Sequence, residues 1–100
     1  MNAEEFSKLI TSDKVQILDV RTADEYAESH IPGSKNVDVL QSDFEQRTAD
    51  ILDAAKPVAV YCRSGKRSMV AAAKLIARGM KVYNLDGGIL QWLQENKPVE

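Results

Sequence analysis

Cys62 is the one cysteine in a chain of 100 residues, and the residues beside it are of the types that turn a thiol into a nucleophile. It ends the apolar run Val58-Ala59-Val60-Tyr61 and is followed by Arg63-Ser64-Gly65-Lys66-Arg67-Ser68. The run is short, Val-rich and preceded by Pro57, which suits a strand buried on both faces. From Ser68 to Arg78, the residues Met69, Ala72, Ala73 and Ile76 recur at helical spacing, and Gly79 stands where a helix commonly closes. Cys62 therefore falls in a strand-to-helix loop. A helix start leaves backbone N–H groups unpaired and carries a partial positive charge. A loop that wraps back on itself aims further N–H groups inward, as a nest for an anion. Gly65 permits the tight bend and a close approach to a ligand. A thiol in that setting ionises more readily than a free one, whose pKa is about 8.5. The chemistry predicted is a reactive thiolate in an anion cradle. The competing reading, a structural cysteine closing a strand, leaves Gly65 and the cations Arg63, Lys66 and Arg67 without a purpose.

The rest of the chain must hold that loop. Asn2 with Glu5 forms a capping-box pattern ahead of a first helix with Phe6, Leu9 and Ile10 on its apolar face. Residues 15–20 form the first strand, ending on Asp19-Val20-Arg21. Thr22 with Glu25 is a second capping box and opens a short helix through about Ser29. His30 precedes the turn signal Ile31-Pro32-Gly33. Residues 35–39 alternate as a half-exposed strand, the pattern of a sheet edge. Ser42 with Glu45 is a third box, opening a helix that ends near Ala55, with Phe44, Ile51, Leu52 and Ala55 on one face. After the Cys62 loop and its helix, residues 81–85 form another strand. Gly87-Gly88 turns the chain into a last helix with Ile89, Trp92 and Leu93 facing inward. Strict helix–strand alternation implies a parallel sheet with helices on both faces. Ligands of open parallel sheets bind beyond the carboxyl ends of the strands. Asp19 and Cys62 both lie at such ends. Two roles are open for Asp19: accepting N–H groups of the Cys62 loop and so orienting it, or pairing with Arg21. For Arg21 a salt bridge to Glu25 is expected.

The loop from Cys62 to Ser68 resembles the active-site loop of the rhodanese-like sulfurtransferases. Ile17-Leu18-Asp19-Val20-Arg21, then Glu25-Tyr26, then His30-Ile31-Pro32-Gly33-Ser34, is similar to that family's N-terminal signature. Leu85-Asp86-Gly87-Gly88-Ile89 followed by Trp92 is similar to its C-terminal one. The matches fall in family order and span most of the chain. The resemblance implies a single rhodanese-like domain over residues 1–100. It implies a three-layer α/β/α fold, with a central parallel sheet of four to five strands and helices on both faces. The fifth would be a short strand before the first helix, for which the chain offers no obvious candidate. The resemblance places His30 in a structural turn. It also implies sulfur transfer: Cys62 takes the sulfane sulfur of thiosulfate or another persulfide donor and passes it to a thiol, or to cyanide in vitro. Arg63, Ser64, Gly65, Lys66, Arg67 and Ser68 would bind the anionic donor, with Arg67 pointing at the site.

Four residues separate Cys62 from Arg67, one fewer than in the Cys-dependent phosphatases. That enzyme class, with arsenate reductases, is the rival catalytic reading. A rhodanese module that only binds a partner is the non-catalytic one, and the retained Cys62 and basic loop argue against it. A single cysteine excludes an internal disulfide and a multi-cysteine metal site, so no metal or other cofactor is expected, and the sulfur acceptor must be another molecule. The net charge of −2 gives no attraction to nucleic acid or to a membrane. No apolar run is long enough to cross a bilayer, and the first ten residues lack the pattern of a signal peptide. A cytoplasmic monomer is the expectation, with a processed exported form equally consistent.

Overall fold

The computed structural model describes residues 1–100. Its elements follow the expected alternation: α1 Ala3–Leu9, β1 Gln16–Asp19, α2 Ala23–Glu28, β2 Lys35–Asn36, α3 Phe44–Ile51, β3 Val58–Tyr61, α4 Lys66–Ala77, β4 Val82–Asn84 and α5 Gly88–Gln94. The sheet has four parallel strands in the order β2-β1-β3-β4. No strand precedes α1, so the four-strand form of the expected fold is the one observed.

Alternation along β3 splits the core in two. Val58, Val60 and Cys62 face one layer with Leu18, Val20, Phe44, Ala71 and Leu75. Ala59 and Tyr61 face the other with Ile17, Ala3, Phe6, Leu85, Ile89 and Trp92. Successive strand residues point to opposite faces, and this parity delivers Cys62 to the α4 side. On the other face Phe6 meets Tyr61 and Trp92 edge-on, with ring centroids 6.5 and 6.2 Å apart.

Two of the three capping boxes form as written, Asn2 with Glu5 and Thr22 with Glu25. The third does not: α3 starts after Asp43, whose side chain makes no cap bond. That helix also stops at Ile51, so Ala55 lies beyond it, and its buried residues are Phe44 and Thr48. Thr48 is accommodated because its hydroxyl donates to the Phe44 carbonyl at 2.8 Å and accepts from Arg78 at 2.7 Å. The strand expected over residues 35–39 is reduced to Lys35–Asn36 at the sheet edge, although the Val37 and Val39 N–H groups still donate to the Asp19 and Val20 carbonyls.

The face buried by α4 is not the one its apolar periodicity indicates. Ser68, Ala71 and Leu75 are buried, while Met69 and Ile76 are 66% and 57% exposed. The inward stripe begins with a serine, which hydrophobic spacing cannot see. Leu93 likewise sits 42% exposed on α5, leaving Ile89 and Trp92 as its core contacts.

Candidate active site

The loop from Cys62 to Gly65 is held between two backbone contacts. The Ile89 and Leu90 N–H groups donate to the Cys62 and Arg63 carbonyls at 2.9 and 3.2 Å, tying the loop to the start of α5. Gly65 is the N-cap of α4 with φ +105°, and a Cβ there would lie 2.2 Å from the Asp86 carbonyl oxygen. Gly88 has φ +62°, and its Cβ would lie 2.2 Å from the Arg63 carbonyl oxygen. Only glycine satisfies both the left-handed backbone and these approaches. The sequence predicts that Gly65 lets the loop bend; the partner it approaches is the backbone of the Leu85–Gly88 turn.

This clamp aims the loop at sulfur. The Gly65 N–H donates to Cys62 Sγ at 3.0 Å. Ser68 Oγ lies 3.5 Å from the same sulfur and donates to the Gly65 carbonyl at 3.1 Å. A hydroxyl has one proton. Beside a thiol it serves Gly65; beside a thiolate it can rotate and donate to sulfur. Burial pushes the Cys62 thiol up, since its residue is only 1% exposed. The Ser68 hydroxyl and the backbone N–H groups of Ser68, Gly65 and Ser64 outweigh that and hold its pKa below the usual thiol value. The stabilisation of the anion comes from hydrogen bonds, with the site at the head of a 12-residue helix.

The cations are disposed unequally. Arg63 and Lys66 are exposed and enter no ion pair. Arg67 is half-buried, and its two terminal nitrogens donate to Glu25 at 2.7 and 2.9 Å. Glu25 raises the Arg67 pKa through that pair, and the nearby Cys62 and Asp38 charges add to it. In return Arg67 holds the Glu25 carboxyl down at about 2, against an ordinary 4.5.

Asp19 does not orient the loop. Its carboxylate, fully buried, accepts from Arg21: the backbone N–H at 2.9 Å, Nε at 3.0 Å and a terminal nitrogen at 2.6 Å. The second oxygen accepts Nε as well, at 3.1 Å. The expected Arg21–Glu25 bridge is thus replaced by two others, Arg21–Asp19 and Arg67–Glu25. The first is local. The second spans 42 residues of sequence, beyond any spacing rule. The signal that could have found it is topological: β1 and β3 pair side by side, so the segments leaving their carboxyl ends emerge together.

Tyr61, also overlooked, braces the floor. Its hydroxyl accepts the Ile31 N–H at 3.0 Å and lies 3.2 Å from Ser34 Oγ, while Arg21 sits over its ring at 5.7 Å. Burial raises its pKa and keeps it a neutral phenol. His30 has no contact with the sulfur and lies just ahead of the Ile31–Ser34 turn rather than in it, its backbone N–H and carbonyl paired with Glu100 at 2.9 and 2.8 Å. Its ring stacks on Tyr26 with centroids 3.8 Å apart, and its Nδ1 lies 2.9 Å from the Tyr26 carbonyl oxygen.

Comparison with known proteins follows the same lines. The family described as rhodanese-like domain matches residues 2–95. The chain is 38% identical over 89 residues to the thiosulfate sulfurtransferase GlpE of Pseudomonas fluorescens, covering 88% of this chain and 79% of that protein. It is 32% identical over 105 residues to thiosulfate sulfurtransferase 18 of Arabidopsis thaliana, covering 93% and 77%. The crystal structure of a rhodanese-related protein from Thermoplasma volcanium superposes with a TM-score of 0.88 at 31% identity, over 100% of this chain and 95% of that one.

Proposed function

The chain belongs to the rhodanese-like family, and from that premise we propose that it is a sulfurtransferase working through a persulfide on Cys62. The observation that carries the reading is the Cys62 sulfur held by the Gly65 N–H at 3.0 Å, beside the Ser68 hydroxyl, with its pKa lowered. The Cys62 thiolate attacks the outer sulfur of thiosulfate; the donor's sulfur–sulfur bond breaks and sulfite leaves with the electron pair. The new terminal sulfur is an anion in its turn, and the loop N–H groups stabilise it as they do the thiolate. An acceptor thiolate or cyanide then attacks that sulfur, and Cys62 leaves as thiolate. This is two-step covalent transfer with ping-pong kinetics. Cys62 is the only cysteine, so the acceptor is a second molecule. Arg67 and the exposed Arg63 and Lys66 supply the charge that attracts an anionic donor. No helix is long and apolar enough to cross a membrane; we place the reaction in the cytoplasm, carried out by a monomer without cofactor.

Intact-protein mass after incubation with thiosulfate tests the reading. The expected result is a gain of one sulfur atom, removed by a thiol wash and absent in Cys62→Ala. A gain with a small-molecule persulfide alone keeps the reaction and changes the donor. No gain with any donor, together with hydrolysis of an aryl phosphate, replaces the reading by the phosphatase one.

A further inference from the structure

We propose that Glu25 is a positioning residue for the Cys62 site: it fixes the Arg67 guanidinium so that its unused N–H groups receive the anionic substrate. Arg67 is the only one of the three loop cations with a partner that could orient it, and that partner comes from another element, α2. The pairing is end-on. One N–H of each terminal nitrogen goes to Glu25, and a guanidinium has five. The N–H of Nε and one on each terminal nitrogen remain, and Arg67 makes no other hydrogen bond. A bidentate carboxylate pair of this kind imposes direction as well as attraction. Glu25 is itself restrained. As the third residue of the α2 capping box its Oε1 accepts from the Thr22 N–H at 3.2 Å and the Thr22 hydroxyl at 3.1 Å. Its backbone N–H donates to that hydroxyl at 3.2 Å. The Thr22 backbone N–H, which any residue at that position keeps, is enough to hold Glu25, and Arg67 immediately precedes the Ser68 that contacts sulfur. Lowering of the Glu25 pKa to about 2 keeps the carboxylate charged at any working pH.

The two jobs of Glu25 can be separated. Glu25→Gln keeps the capping box, which glutamine also serves, and removes the charge that grips Arg67. Thr22→Ala weakens the cap and leaves the Glu25–Arg67 pair. The first readout is alkylation of Cys62 by iodoacetate relative to iodoacetamide: both need the thiolate, and only the former carries the negative charge Arg67 would guide. Glu25→Gln is expected to lower that rate ratio about tenfold, with Thr22→Ala leaving it unchanged. In an Arg67→Ala background Glu25→Gln should add nothing, as befits residues acting through one contact. The second readout is turnover from thiosulfate to cyanide, where Glu25→Gln should raise the KM for thiosulfate and leave that for cyanide alone. An unchanged alkylation ratio, equal losses in Glu25→Gln and Thr22→Ala, or additive effects with Arg67→Ala would overturn the proposal. So would an increased ratio or a lowered KM, which would show Glu25 competing with the substrate for Arg67. The turnover arm rests on the sulfurtransferase reading. The alkylation arm does not: wild-type protein that never gains sulfur but keeps a Glu25-dependent alkylation ratio defeats that reading and leaves the positioning role standing.

Discussion

A thiol only 1% exposed would ordinarily be a poor anion, and Cys62 escapes that through neutral donors beside it. Ser68 is foremost among them. Ser68→Ala should therefore move the pH profile of Cys62 alkylation to higher pH. At neutral pH it should slow persulfide formation about tenfold, as loss of a hydrogen bond to a charged group would. An unchanged profile would assign the lowering to backbone N–H groups alone. This is also where the sequence was least legible. Cys62, Gly65 and the basic loop were visible by type and spacing. Ser68 is expected among the donor-binding residues, but its burial against the Cys62 sulfur is hidden because a serine at the head of an apparently amphipathic helix counts as polar surface. Of the two roles open for Asp19, pairing with Arg21 is the one observed; the expected Arg21–Glu25 bridge fails because spacing along one segment favours it, while the Arg67 that takes Glu25 lies 42 residues away.

Elements position that chemistry through backbone approach. The start of α5 and the N-cap of α4 grip the Cys62 loop from two sides, and neither Gly88 nor Gly65 leaves room for a methyl group. Gly88→Ala would drive a Cβ to 2.2 Å from the Arg63 carbonyl at a φ of +62°. It should cost more than about 2 kcal/mol. For a domain of this size that lowers Tm by at least about 8 °C, and the displaced loop should lose most of its persulfide formation. A variant that melts normally and loads sulfur normally would show the clamp to be dispensable. Element type and order were legible throughout, since apolar period, capping boxes and glycine punctuation agree with one another. Boundaries and faces were less so. The Ser42 box failed because α3 begins one residue later, and the inward face of α4 was misplaced because its first buried residue is Ser68.

The molecule as a whole rests on a buried polar girder that runs beneath the site, from Asp19 through Arg21 to Tyr61 and Ser34. Asp19→Asn strands a buried guanidinium and should cost about 3–5 kcal/mol, a large part of a small domain's 5–15 kcal/mol or so. Truncating Asp19 and Arg21 together should cost less than Asp19→Asn alone, which chemical denaturation can decide. Acid acts through Glu25 in a defined window. Its folded pKa of about 2 lies below the ordinary 4.5, so its contribution is complete above pH 4.5 and is lost as pH falls from there toward 2. The stability gap between wild type and Glu25→Gln should close over that interval and stay constant above it. Such experiments have a convenient optical witness. The lone tryptophan, Trp92, is 1% exposed, its indole N–H donates to the Pro98 carbonyl at 2.7 Å, and it sits in the layer opposite Cys62. Its emission should be blue-shifted in the native protein and move to the red only when that layer opens. Sulfur loading on the far side of the sheet should leave the emission unchanged, so one cuvette can distinguish an enzyme that has reacted from one that has unfolded.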